Sequence, residues 1–524
     1  MNLSVLKKGT ESRSLIIVLF TIILFTASGI SAQEVDERTK FNISGTMRFR
    51  SFYLERDIQT SRQTLNYPVY DIPSHYSYLY QTKLDNLAAS YSAEDRFRKP
   101  VPKNKDAINY FDSRALLNLE FATSKYLDGM IGLIIGDIPF GGRGLDPKTN
   151  SRDPYITGPG SGGETGQSAG TNIQTNQLYM NFKLPDQELS MRVGIQLFSS
   201  IQGRVFLSTG AGAQMTKDFK SDKIGIEAGW IRARERVFSD LDSNGFSDRN
   251  KQSVNVFFWK VKSSKISTLK NELYTYYSYD SDPSDVNSET GNLYWHGLFN
   301  EFTYKKFNII VHGIYNHGKV WTGNSVNTAD NQNAAFLLTR KNISGYLWDF
   351  QASYFLNSNV NFNIMGIGTS GRPGYDSDGI HGSFKGSGYR TLAPGYAISN
   401  LAIDFIGGYA LFNARNMSGL AEYGAYANVI IYGPLQLTAG YYQLYASKAP
   451  RLSVNREYNS LYGNKSGTYL GDEVNLNLKW SVFSELQLIF RSGIFRASRA
   501  YYAINDFNHG KFAKEAFISA EYKF

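Results

Sequence analysis

The chain has 524 residues, among them 36 Tyr, 34 Phe and 48 Gly, no Cys, and a formal charge of +9. Without cysteine it has no disulfides, no thiolate chemistry and no cysteine metal site. Its aromatics run from end to end in alternation with polar residues, which argues against an ordinary soluble core, and its basic residues are too dispersed for a nucleic-acid patch.

At the amino end Lys7, Lys8 and Arg13 precede the apolar run Leu15 to Phe25 and the small-residue stretch Ala27-Ser28-Gly29-Ile30-Ser31-Ala32. This reads as a signal peptide over 1–32, cleaved after Ala32, because the apolar core is shorter than the roughly 20 residues of a spanning helix. A short periplasmic leader, 33–40, would follow, and the remainder, 41–524, would form one domain carrying a charge of about +7, a bias toward anionic partners.

Period-2 segments bounded by turns recur through that domain, and side chains of alternating parity lie on opposite faces of a strand. Crossings are expected near 42–54, 110–121, 127–137, 173–184, 188–198, 213–219, 223–235, 252–262 and 266–279. Further ones fall near 292–305, 307–317, 343–356, 360–370, 418–432, 435–446, 473–482, 485–496 and 513–524. Connections alternate between tight ones, such as Pro185-Asp186-Gln187-Glu188 and Gly433-Pro434, and long ones such as 55–109, 138–172 and 371–416. Short turns on one rim and long loops on the other predict an all-β, transmembrane, antiparallel up-and-down barrel in an outer membrane. With both chain ends on the periplasmic side the strand number is even: eighteen, with sixteen as the alternative. The apolar run 398–411 would place the Gly433-Pro434 turn on the wrong rim if it crossed, so it is assigned to a folded part of a long loop.

The last strand alternates Ala516, Ile518, Ala520, Tyr522 and Phe524 with Ser519, Glu521 and Lys523. It resembles the closing strand of bacterial outer-membrane barrels. That resemblance implies recognition of Phe524 by the barrel-assembly machinery.

Two stretches carry a narrower likeness. Ser44-Gly45-Thr46-Met47-Arg48-Phe49-Arg50 lies in the first strand. Gln177-Leu178-Tyr179-Met180-Asn181-Phe182 is followed by Leu189-Ser190-Met191-Arg192-Val193-Gly194-Ile195-Gln196. Together they are similar to the alginate-export family of outer-membrane porins; beyond about residue 235 the similarity is architectural. The resemblance implies an eighteen-stranded monomeric pore passing an anionic saccharide, a polyuronate in the named member, through an arginine-lined lumen.

The residues support a related expectation directly. Arg48 and Arg50 oppose the apolar parity of their strand, as do Arg114, Lys183, Arg192, Lys479 and Arg491 of theirs. A charge facing lipid at mid-bilayer costs roughly 2–4 kcal/mol, so all seven are expected to line the lumen. Guanidinium groups there suit carboxylates, although pairing with the lumen acids Glu120, Glu227, Glu301, Glu422 and Glu473 is the competing expectation. Asp240, Asp242, Asn244 and Asp248 surround Gly245 with the spacing of a calcium loop, but position 251 is Lys where the bidentate Glu would stand; an acidic surface turn is the alternative. No other cofactor is expected. His312 and His317 have opposite parity, which disfavours shared ligation. No pattern brings a nucleophile and a base together, so an enzyme is not expected; a barrel-anchored adhesin and an outer-membrane hydrolase are the competing functions.

Overall fold

The computed structural model describes residues 40–56, 106–140, 173–237, 251–280, 292–325, 336–371, 388–391, 396–403, 419–447, 468–498 and 512–524. Eighteen strands form one antiparallel sheet, each paired with its neighbours in sequence, and β1 pairs with β18 to close it. In chain order they are β1 (Lys40–Arg56), β2 (Asp106–Ser124), β3 (Leu127–Phe140), β4 (Ile173–Leu184), β5 (Leu189–Ser199) and β6 (Leu207–Phe219). Then come β7 (Ile224–Val237), β8 (Lys251–Ile266), β9 (Leu269–Asp280), β10 (Asn292–Tyr304), β11 (Phe307–Ser325) and β12 (Phe336–Phe355). The last six are β13 (Val360–Thr369), β14 (Leu420–Tyr432), β15 (Leu435–Ala446), β16 (Tyr469–Ser481), β17 (Leu486–Ala497) and β18 (Phe512–Lys523).

Every expected crossing is a strand. Three extend furthest beyond the expected bounds: β6 begins at Leu207, β11 runs on to Ser325, and β12 starts at Phe336. In β6 the cause is visible in Ser208-Thr209-Gly210-Ala211-Gly212, where small residues occupy both faces. Backbone pairing continues there while the hydrophobic alternation that marks a strand has stopped.

Exposed apolar side chains recur on one parity along the strands, as with Ile43, Met47 and Phe49 on β1, Leu178, Met180 and Phe182 on β4, and Leu298 and Phe302 on β10. A closed sheet leaves no edge, so such an exterior satisfies every backbone group in lipid. No described helix is long and apolar enough to cross a membrane; the crossing elements are strands. The tight turns share one rim, where Glu188, Lys223 and Lys305 adopt left-handed backbone conformations.

The buried apolar cluster lies inside the barrel. Trp295, Tyr274, Tyr276 and Phe495, all on inward parity, are fully buried together with Tyr389, Leu401 and Ile403 from the connection between β13 and β14. Ile398–Ile403 is not a strand but a tight turn closed by Ile398 N–H donating to Ile403 O at 2.8 Å, as the turn count required. Residues 404–411 of that apolar run lie outside the described residues. So do the signal peptide, leader residues 33–39, and Asp240, Asp242, Asn244 and Asp248.

Candidate functional site

Strand pairing puts Arg48 of β1 directly opposite Arg114 of β2, and Arg50 opposite Asp112. On its other side Arg48 faces Glu521 of β18, and Arg50 faces Ser519. These residues sit on the parity opposite Met47 and Phe49, so three guanidinium groups converge on one wall of the lumen. Like charges directly opposite each other are destabilising, so this placement is not what strand packing alone selects.

The other four expected residues also face inward but are separated. Lys183, next to the tight turn after β4, forms an ion pair with Asp128. Arg192 lies 4.5 Å over the ring of Tyr179. Lys479 is exposed, two residues from the end of β16. Arg491 donates from Nη2 to Asn400 O at 2.8 Å, and its guanidinium lies 5.6 Å from the Phe517 ring.

Two of the five named acids are held by lysines of neighbouring strands. Glu227 is held by Lys260 and Lys262, at 2.6 and 3.1 Å, and Glu301 by Lys270 at 3.1 Å. Glu120 accepts from Asn42, and Glu473 takes backbone donors. These lysines stand on β8 and β9, and their acids on β7 and β10. Their charge ladder joins neighbouring strands, which spacing within one strand cannot reveal.

Two connections fold into the barrel. The β5–β6 connection is turned by Ser200, whose Oγ accepts from the backbone N–H groups of Val205 and Phe206 at 2.9 and 3.1 Å. This aims Arg204 across the lumen at Asp349 of β12. Nη2 and Nε stand 2.6 and 2.9 Å from Asp349 Oδ2. The guanidinium also lies 4.1 Å over the Tyr396 ring, and Tyr389 Oη donates to Arg204 O at 3.3 Å.

The β13–β14 connection supplies the second inward piece. Trp295 Nε1 donates to Arg390 O at 2.7 Å, and Arg390 N–H donates to Asn316 Oδ1 at 3.2 Å. A Cβ at Gly345 of β12 would lie 2.3 Å from Tyr389 N, so only glycine lets the segment lie flush on that strand. Further along, the Glu473 carboxylate accepts the N–H groups of Asn400 and Leu401 at 2.8 Å each and of Ala402 at 2.7 Å. Burial pushes the Tyr389 and Tyr396 phenols well above their ordinary range, so both stay neutral inside the barrel. The lumen is therefore narrowed by segments latched to β10–β12 and β16–β17, facing a wall that carries Arg48, Arg50 and Arg114.

Among the described residues no group of three or more His, Asp or Glu is placed to hold a metal ion. His312 faces inward and meets Tyr274 Oη at 2.6 Å. His317 faces outward and meets His296, with their Nε2 atoms 3.2 Å apart; that partner sits on the neighbouring strand, beyond the reach of spacing within one strand.

No protein-family model matches this chain, and no curated protein is detectably similar to it in sequence. Among solved structures it is similar to Pseudomonas aeruginosa OpdK with vanillate, at 10% identity and a TM-score of 0.49, covering 92% of this chain and 98% of that one. It is also similar to P. aeruginosa OccK5 (OpdH), at 13% identity and 0.45, covering 92% and 98%. For P. aeruginosa OprD the values are 12% and 0.46, with coverage of 92% and 95%. The expected place among alginate-export porins finds no counterpart in these comparisons.

Proposed function

We propose that this chain is an outer-membrane channel through which small or polymeric anionic solutes diffuse, and that it is not an enzyme. The observation that carries this reading is the direct opposition of Arg48 and Arg114 on the inward face, with Arg50 beside them. Two cations on opposing positions repel, and a carboxylate-bearing solute between them converts that repulsion into paired, charge-assisted hydrogen bonds. A barrel of about eighteen strands is wide enough to leave an aqueous passage even where segments fold inward. The closed sheet with its apolar belt supports the membrane seat.

The test is single-channel conductance of the refolded protein in a planar bilayer under a salt gradient, with and without a polyuronate. Open, anion-selective channels that the polyanion blocks are the expected result. A silent barrel removes the channel reading, and cation-selective channels indifferent to the polyanion remove the anionic solute.

A further inference from the structure

The outer face of β9–β12 is graded. Register aligns Asn300, Val311 and Phe350 in one row across β10, β11 and β12, then Leu298, Gly313 and Trp348. Above these come His296, Tyr315 and Tyr346, then Tyr294, His317 and Ser344, and finally Asn292, Lys319 and Asn342. Three adjacent strands thus pass, row by row, from a mainly apolar band through aromatic to polar and basic. From Phe307 near the turn rim to His317, at ~3.3 Å per residue and a tilt of about 40°, β11 climbs roughly 25 Å, the height of the apolar band. The upper rows therefore stand where acyl chains give way to headgroups.

Two shape features sit on this gradient. A groove of about 710 Å³ opens at its upper end, lined by Tyr277, Tyr294, Tyr315, His317, Lys319 and Asn342. The rings of Tyr277, Tyr294 and His317 stack on one another, at centroid separations of 4.5 and 5.1 Å, which makes its floor rigid. Below it, a Cβ at Gly313 would meet nothing within 4 Å, so the band carries a notch between Leu298 and Trp348.

We propose that this face is a specific lipid site: a phosphate-bearing lipid of the outer leaflet seats its headgroup in the groove and one acyl chain in the Gly313 notch. The inference goes beyond solute passage and rests only on the membrane seat of the barrel. Lys319 is exposed at the top row and supplies the point charge that a phosphate needs, with Asn292 and Asn342 as flanking donors. Tyr294 and Tyr315 present amphipathic rings at the level where one end must be apolar and the other wet. A free anion would use the upper rows alone. The apolar notch in line beneath them favours a lipid.

The test is native mass spectrometry of the intact barrel in detergent, offered a phosphorylated glycolipid, zwitterionic phosphatidylethanolamine or inorganic phosphate. The wild type should retain one phosphorylated glycolipid in preference to phosphatidylethanolamine. Lys319→Ala should weaken retention about fivefold, the worth of one lysine near an anionic headgroup. Gly313→Leu fills the notch and should weaken it by a similar factor. Heat-dependent gel mobility reports whether each variant is folded, and Lys319→Ala, on an exposed position, stands alone if Gly313→Leu does not fold. Equal retention by the wild type and the folded variants overturns the site, as does displacement of the lipid by inorganic phosphate. A barrel that retains the lipid yet is silent in the planar bilayer leaves this inference standing while removing the channel.

Discussion

Arg204 and Asp349 meet inside the barrel through a single oxygen, Asp349 Oδ2, which accepts from both Nη2 and Nε of the guanidinium at 2.6 and 2.9 Å. Both side chains are almost wholly buried, at 3% and 1% exposure. The pair ties the β5–β6 connection to the far strand β12, and through Tyr389 and Tyr396 it ties in the β13–β14 connection as well.

Removing one partner should therefore be costly. Asp349→Ala leaves the guanidinium buried without its counter-charge, and the expected loss is about 3–5 kcal/mol. The double substitution Arg204→Met with Asp349→Leu should recover most of that, because neither buried charge remains. Denaturant midpoints of the two variants against the wild type check this. A double variant no better than Asp349→Ala would mean that the pair's hydrogen-bond geometry, and not charge burial, holds the segment.

Glu473 makes a second latch of different chemistry. Its two oxygens take three backbone donors from residues 400–402, two on Oε1 and one on Oε2. In Glu473→Gln one of those oxygens becomes an NH2 group facing another donor, with an expected cost of about 1–3 kcal/mol. Hydrogen exchange at the amides of Asn400, Leu401 and Ala402 should quicken, and single-channel conductance should rise as the segment loosens. Unchanged exchange at these amides would show that neighbouring bonds, such as Arg491 Nη2 to Asn400 O, suffice.

The strands were legible because lipid outside and a wet or filled interior inside impose a period of two on every crossing. The same rule assigns an inward parity to all seven named basic residues. What period could not show is which of them share a neighbourhood. Arg48 and Arg114 are adjacent only because β1 and β2 pair in one register across a long connection. Arg204 belongs to a turn with no periodicity at all, and its partner Asp349 lies on a strand remote in sequence. Pairings of this kind, like that of His296 with His317, are set by tertiary register and leave no mark in local spacing.

The opposed arginines give a prediction about permeation. Arg48→Gln with Arg114→Gln removes two positive charges from one level of the lumen without introducing an acid, while Glu521 remains opposite position 48. The reversal potential under a salt gradient should move toward that of cations, and block by a polyuronate should weaken. Lys479→Gln, at the turn end of β16, should shift the potential less, because an exposed charge is screened within about 10 Å at 0.1 M salt. Equal shifts from both changes would place the selective level elsewhere in the lumen.

The seam between β1 and β18 ends at Phe524. Phe524 exchanges two backbone hydrogen bonds with Gly45, at 2.9 and 3.1 Å. Its ring lies over that glycine: a Cβ at position 45 would stand 2.5 Å from Phe524 Cζ and 2.4 Å from Leu116 O on β2. The ring could turn aside, but the backbone oxygen could not, so even Gly45→Ala forces β1 away from β2 as well as disturbing the terminal aromatic. The expected outcome is a lower yield of heat-modifiable, folded barrel. Phe524→Ala tests the other half of the contact, since it removes the ring and leaves the strand pairing intact. If the seam is limited by the β1–β2 approach, Gly45→Ala should be the more damaging in refolding with purified lipid. A larger deficit for Phe524→Ala under those conditions would mean that the ring itself holds the seam.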